Sequence, residues 1–290
     1  MENNIQGKTY VVSGATSGIG YATAKLLVDQ GAFVIGIGRS EERCWTAKKE
    51  LMAENPEGQI VMCVADLSLQ RSIRGLRSEI ENILKDHGRQ GLDGLVNNAG
   101  TFTYWQTLTA EGFEMQWAVN HLAPFLMSNV LLPLLMEAPT ARIVTVSSDS
   151  HFQGRMKWSD LQLSRCYNGL FAYGNTKLGN VLFTRAFNHL IGSQSSVKAF
   201  AADPGLVKTE IGFKDTPPLV RWIWARRRSG GTSADVPARN IVYLLSEPSI
   251  QDSNEIYWKN CRPKKASRKA QTMQDAQRLW TVSEKMCGMA

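Results

Sequence analysis

Short β-branched runs alternate with longer helical patterns from the first residues of this 290-residue chain to near its end, and that alternation restricts the fold more than any other feature. It is the signature of a parallel sheet with helices on both faces. Strands are predicted at Thr9–Ser13, Phe33–Ile37, Ile60–Ala65, Gly94–Asn97, Arg142–Val146, Val197–Ala202 and Glu255–Trp258, with an apolar density that suits strands covered on both sides. Helices are predicted at Ile19–Gln30, Glu41–Glu54, Leu69–His87, Gly112–Leu135, Leu170–Ile191 and Ser233–Ser246, several of them stopped by Gly or Pro. The expectation is a single doubly wound α/β domain, 1–290, around a seven-stranded parallel sheet. Hydrophobic residues make up 43% of the chain, enough for a core of that size. The irregular stretch 213–232, with Pro217-Pro218 and three consecutive arginines, interrupts the alternation and reads as an insertion or substrate lid.

Ser13-Gly14-Ala15-Thr16-Ser17-Gly18-Ile19-Gly20 joins the first strand to the first helix. Glycines there allow a tight turn and let a pyrophosphate approach the free N–H groups and positive dipole end of the helix. The candidate contacts are Gly14, Thr16, Ser17, Gly18, Ile19 and Gly20. An acid at the end of the second strand would bind a ribose 2′-hydroxyl and repel a 2′-phosphate. Gly38 occupies that position and Arg39 follows, which favours NADP(H) over NAD(H). Asp66, followed by Leu67, ends the third strand, where it can accept from an adenine amino group or cap the next helix. Asn97-Asn98-Ala99-Gly100 closes the fourth strand at the carboxyl edge of the sheet, the edge at which open α/β sheets bind ligands.

Tyr173 and Lys177 stand four residues apart on a predicted helix and so share one face. A phenol with an ordinary pKa of about 10 is a poor proton-transfer group at neutral pH, and a neighbouring ammonium lowers that value by favouring the phenolate. The pair is expected to form a tuned proton donor and acceptor. A tyrosine four residues before a lysine is common in helices. Its weight here comes from Ser147-Ser148 at the end of the fifth strand and Asn120 within the fourth helix.

Together with the glycine turn, Asn97-Asn98-Ala99-Gly100 and Pro204-Gly205, these motifs resemble the short-chain dehydrogenase/reductase family in order and spacing, over essentially the whole chain. The resemblance implies a Rossmann fold and hydride transfer between NADP(H) and a carbonyl or alcohol. It implies that Tyr173 transfers the proton, Ser148 hydrogen-bonds the substrate oxygen, Lys177 binds the nicotinamide ribose and lowers the tyrosine pKa, and Asn120 holds a water in the proton relay. Ser148 is taken rather than Ser147 because it is the second of the pair, as in the family. Asp66 and Leu67 would then lie at the adenine, Asn97, Ala99 and Gly100 in the adenosine-ribose region, and Pro204, Gly205, Val207 and Thr209 at the carboxamide and phosphates. The 25 residues from Ser148 to Tyr173 exceed the spacing in many members. That length, the run Tyr167–Tyr173 and the run Gln277–Ser283 resemble the retinol dehydrogenase-like branch, whose members act on lipophilic aldehydes and alcohols. Family members are usually dimers or tetramers, often through the helix bearing the tyrosine and the one before it, so a homo-oligomer is expected.

Many proteins of that branch carry an N-terminal membrane anchor. Here Met1-Glu-Asn-Asn-Ile-Gln-Gly leads into an apolar run with no basic n-region, so neither anchor nor signal peptide is expected. No uninterrupted apolar stretch approaches the roughly 20 residues that span a bilayer. The segment Arg221–Arg228, with Trp222 and Trp224, reads as a lid over an apolar pocket or as a peripheral membrane contact. The 33 Lys and Arg against 26 Asp and Glu give a formal charge of +7, with clusters at Arg226–Arg228 and from Arg262 to Lys269. A solvated basic face is the plain reading, and no aromatic platform points to nucleic acid. Five widely spaced cysteines without a CxxC pair indicate neither a disulfide framework nor a zinc site, and fit a reducing compartment, here the cytoplasm. A catalytically silent NADP(H)-sensing protein on the same fold is the second class of function. Such a protein would tolerate loss of the tyrosine or lysine, whereas Asn120, Ser148, Tyr173 and Lys177 are all present.

Overall fold

The predicted strands are apolar throughout because both faces of the sheet they form are covered. The computed structural model describes residues 4–207 and 231–289. In it β1 (Thr9–Ser13), β2 (Phe33–Gly38), β4 (Gly94–Asn97) and β5 (Ala141–Val146) are buried at every residue. They join β3 (Gln59–Val64), β6 (Val197–Ala202) and β7 (Tyr257–Lys259) in the parallel order β3-β2-β1-β4-β5-β6-β7. The order reverses between β1 and β4, and a crevice at the carboxyl ends of those strands is where such a sheet takes a ligand.

Among the described residues the sheet has eight strands rather than seven, because β8 (Arg262–Pro263) pairs antiparallel with β7. A two-residue strand with a proline gives no periodic signal. It is set by a tight turn at Asn260 and Cys261, whose φ angles are +50° and +60°.

On one face α1 (Gly18–Asp29) and α8 (Asp235–Ser246) cover an apolar layer that includes Val12, Leu27, Val34, Phe200 and Leu244. α2 (Glu41–Glu54) adds Leu51 to that layer. On the other face α3 (Gln70–Asp86), α5 (Ala123–Val130) and α7 (Gly169–Phe187) pack over a second layer with Leu76, Leu126 and Val181. α7 is followed by a π-helical turn, Asn188–Gly192.

The helix predicted over Gly112–Leu135 is broken into α4 (Met115–Trp117), a π-helical turn at Ala118–Leu122, then α5 and α6 (Leu132–Met136). Prolines explain the breaks: each of α5 and α6 carries one in its first turn, Pro124 and Pro133. Pro124 has no N–H to give to the carbonyl of Asn120 four residues earlier.

A last helix, α9 (Met273–Met286), was not predicted, although Ala276, Leu279, Trp280 and Ser283 follow helical spacing and are its buried residues. Trp280 lies 5.0 Å from Phe125, 6.1 Å from Phe183 and 6.4 Å from Phe187, ring centre to ring centre. The chain's own helix thus covers the face of α5 and α7 through which self-association was expected. Among the described residues no helix is long and apolar enough to cross a membrane. Thr209, Arg226–Arg228 and the predicted lid 213–232, apart from its last two residues, lie outside the described residues. Of those two, Thr232 pairs with Val207 and donates its N–H to the Leu206 carbonyl at 2.8 Å.

Candidate active site

The glycine turn is fixed by close packing against the end of β4. Gly14 has φ +69°, and a Cβ there would stand 2.9 Å from Asn98 Nδ2; a Cβ on Gly20 would stand 2.2 Å from the Gly14 carbonyl oxygen. Asn98 Nδ2 donates to the Ser13 carbonyl at 2.9 Å. The backbone N–H groups of Asn98 and Ala99 donate to Ser13 Oγ at 3.0 and 3.1 Å, and Ser13 Oγ donates to the Val96 carbonyl at 3.1 Å. Ser13 and Asn98 therefore lock the two loops together. Sequence reasoning did not assign them a role, although each ends one of two strands that any such sheet places side by side. Ser17 is the N-cap of α1 but makes no side-chain cap bond, and the first turn, which carries Gly18 and Ile19, has no acid. Its N–H groups are left for an anion, as a bound pyrophosphate requires.

Gly38 is buried between Thr16 and Cys44: a Cβ would meet Thr16 Cγ2 and Cys44 Sγ, each at 2.5 Å. Arg39 beside it is exposed and makes no ion pair with a described residue. Asp66 is half-buried, with Leu67 buried behind it. The Asp66 carboxylate accepts from Ser68 N–H at 3.0 Å. It does not cap α3; that helix starts at Gln70, and Glu111 accepts from the Gln70 and Arg71 N–H groups at 2.7 and 3.3 Å. Asn97 also faces inward. Its amide donates to Ser128 Oγ at 2.9 Å and Thr145 Oγ1 at 3.3 Å, tying β4 to α5 and β5, while Ala99 is half-buried and Gly100 exposed at the loop surface.

The serine pair divides cleanly. Ser147 is buried and its hydroxyl donates to the Lys177 carbonyl at 2.8 Å. Ser148 is half-buried, accepts from Ser150 N–H at 3.1 Å and donates to Ser150 Oγ at 3.3 Å, so its hydroxyl stays near the surface of the site. Asn120 is fully buried in the π-helical turn. Its side chain accepts from Thr101 N–H at 2.7 Å and donates to the Thr101 carbonyl at 2.8 Å and to Thr176 Oγ1 at 3.3 Å. The amide is thereby committed to protein groups and holds the loop after β4 against α7.

Tyr173 and Lys177 share a face of α7 as predicted, with Lys177 Nζ 5.3 Å from the centre of the phenol ring. Lys177 Nζ donates to the Val146 carbonyl at 3.1 Å, and burial pushes its pKa down to about 8. The expected lowering of the tyrosine pKa is not what these surroundings do: burial, and after it the Asp203 carboxylate, push Tyr173 up to about 12. Desolvation of the phenolate outweighs the distant ammonium. Asp203 is buried just before the half-buried Pro204 and Gly205, and its carboxylate accepts from Gly205 N–H at 2.9 Å. Phe102 stands edge-on to Tyr173 at 6.0 Å.

A phenol at the carboxyl edge suits a partner that takes or gives two electrons, and the glycine turn on the same edge is shaped for a dinucleotide. Fold and site together define a dinucleotide-dependent oxidoreductase. The family model for short chain dehydrogenases matches residues 8–217, and the chain belongs to the short-chain dehydrogenase/reductase family. It is 34% identical to retinol dehydrogenase 14 of Mus musculus, over 98% of this chain and 87% of that protein. Among solved structures it resembles a putative uncharacterized protein from Mycobacterium Paratuberculosis, with a TM-score of 0.75 and 32% identity over 98% of this chain and 94% of that one. It also resembles the angucycline C-6 ketoreductase LanV with bound NADP, with a TM-score of 0.69 and 25% identity over 89% of this chain and 95% of that one.

Proposed function

We propose that this protein transfers hydride between NADP(H) and a lipophilic aldehyde, ketone or alcohol, with Tyr173 as the proton-transfer group. The observation that carries the reading is the state of Lys177. Its side chain is buried, yet among the described residues its ammonium has one hydrogen-bond acceptor, Val146, for three N–H groups. A buried cation so placed is costly unless a ligand supplies further acceptors, and the hydroxyls of a nicotinamide ribose are such acceptors.

NADP(H) bound along the glycine turn supplies or accepts the hydride. Tyr173 donates its hydroxyl proton to the carbonyl oxygen in reduction and takes it back in oxidation. Ser148 donates a hydrogen bond to the same oxygen, and Ser147 keeps the serine turn on α7. Asn120 keeps Thr101 and Thr176 in place, and its backbone carbonyl, rather than its amide, is the group suited to a relay water.

Preference for NADP(H) is supported by Gly38. Thr16 and Cys44 fill the space that an acidic side chain would need, and the exposed Arg39 has no carboxylate partner among the described residues. The NADP in the LanV structure agrees with this choice. A lipophilic substrate is supported by Phe102 against Tyr173 and by the Tyr104–Trp105 pair, with Trp105 64% exposed, on the loop packed at the start of α7. The name of the mouse relative points to the same substrate class. The five free cysteines agree with a reducing, cytoplasmic setting.

NADPH consumption over carbonyls graded by chain length and ring size, with NADH alongside and Arg39→Ala as control, tests the reading. The wild type should favour NADPH by about tenfold or more, and Arg39→Ala should remove most of that preference. Equal use of NADH, or no turnover with any carbonyl, would overturn it.

A further inference from the structure

The basic segment near the C-terminus, read from the sequence as a solvated face, is attached to the active site. The β7–β8 hairpin is anchored by Cys261 N–H on Asn240 Oδ1 at 2.7 Å and by Lys264 N–H on the Tyr257 carbonyl at 2.8 Å. It carries two lysines onto two carboxylates. Lys264 Nζ lies 2.5 Å from Asp149 Oδ1 and 2.7 Å from Asp203 Oδ2; Lys259 Nζ is farther from both, at 3.8 and 3.7 Å. Asp149 directly follows Ser148. Asp203 directly precedes Pro204 and Gly205 and holds Gly205 N–H with its other oxygen.

Two more contacts bind the same segment to the serine turn. Ser267 N–H donates to His151 Nε2 at 3.0 Å, which makes Nδ1 the protonated nitrogen that donates to the Ser148 carbonyl at 2.8 Å. Lys269 Nζ donates to the Gly154 carbonyl at 2.8 Å.

We propose that Lys264 is a positioning residue of this site: by bridging Asp149 and Asp203 it holds the Ser148 turn against the Pro204–Gly205 loop. The proposal rests on reading the site as one of tyrosine-dependent hydride transfer. A bridge of this kind is more than a surface ion pair, because the Asp203 side chain is fully buried and would keep only the more distant Lys259 as a cation without it.

The bridge also sets the charge around Tyr173. The charged and titratable groups gathered at that end of α7 are Lys177 on the helix itself, Asp203 after β6, Tyr257 on β7, Asp149 and His151 after β5, and Lys259 and Lys264 on the hairpin. Asp203 already disfavours the phenolate. Removing Lys264 leaves Lys259 as its remaining cation and makes the phenolate costlier still, so alcohol oxidation, which needs Tyr173 as base, must shift to higher pH.

Full-length Lys264→Met and Lys264→Arg are compared with wild type in two ways: the pH profile of kcat/KM for alcohol oxidation, and amide hydrogen exchange of residues 148–154 and 203–205. Lys264→Met should move the rising limb to higher pH by about one pH unit and speed exchange in both segments; Lys264→Arg should restore both. Asp149→Asn cuts only the exposed end of the bridge. It should speed exchange in 149–154 and leave the limb in place, a test that stands even if Lys264→Met does not fold. Lost activity with an unmoved limb in Lys264→Met would reduce Lys264 to a fold-stabilising residue and overturn the proposal, as would unchanged exchange in either segment. A wild type that turns over no alcohol would defeat the hydride-transfer reading instead, and the exchange arm would still decide whether Lys264 holds the two segments together.

Discussion

The two ends of the site are held by different physics. At the cofactor end the chain is positioned by shape and by the uncharged hydrogen bonds between Ser13 and Asn98: Gly14, Gly20 and Gly38 sit where a single added carbon would strike a neighbouring turn, carbonyl or side chain. At the end that carries Tyr173 it is positioned by charge and by polar contacts between segments far apart in sequence. Asp149 meets Lys264 and Gly154 meets Lys269 across 115 residues, and His151 meets Ser267 across 116. Shape is indifferent to pH, whereas the charged end contains groups whose pKa values burial has moved. The lesson is that affinity for the cofactor and the pH dependence of turnover should be separable by mutation.

A large effect should come from Lys177→Met, which removes the buried charge but keeps the length of the side chain. Turnover should fall by about a hundredfold or more, while the ligand-free protein becomes more stable at pH 7. Burial holds Lys177 at about 8 in the fold, below the ordinary lysine value of 10.5. Between those values the unfolded chain binds the proton more tightly, so wild-type stability rises with pH from about 8 to 10.5 and the full cost is present below about 8. The methionine variant escapes up to about 3 kcal/mol of that cost. Denaturant melts at pH 7 and pH 10 check it: the variant's advantage should shrink at the higher pH, and a variant less stable at both would break the comparison.

A smaller effect is expected from Gly20→Ala at the shape-held end. The added carbon meets a backbone carbonyl, which cannot swing aside as a side-chain tip can. Stability should fall by about 1–3 kcal/mol, NADPH binding should weaken with it, and both losses should be the same at pH 6 and pH 9. Melting and NADPH titration at the two pH values measure this. A loss that grew or vanished with pH would show that charge matters at this end too.

The same contrast explains what could be read from the sequence. Strand positions were legible to within about two residues, because a strand buried on both faces must be apolar along its length. The glycine turn was legible for a similar reason, since it rests on neighbouring residues. The partners of the Asn97 and Asn120 side chains were not legible, because the residue type does not say whether an amide faces a ligand or, as here, ties loops and helices together. The cap of α3 escaped because its acceptor, the Glu111 carboxylate, comes from another loop, while Asp66 accepts from Ser68 instead. The break in the fourth helix was marked by Pro124 and Pro133, and α9 by its apolar spacing. Nothing local, by contrast, could reveal that the lysines of the last hairpin meet Asp149 and Asp203, or that burial would raise Tyr173 rather than let Lys177 lower it.

The central claim is that Tyr173 transfers the proton at a site whose cofactor end is built independently of it. NADPH binding and carbonyl reduction measured side by side for wild type and Tyr173→Phe test it most directly. The account predicts that NADPH affinity stays within about threefold while turnover drops by roughly a thousandfold. Near wild-type turnover in Tyr173→Phe would contradict it.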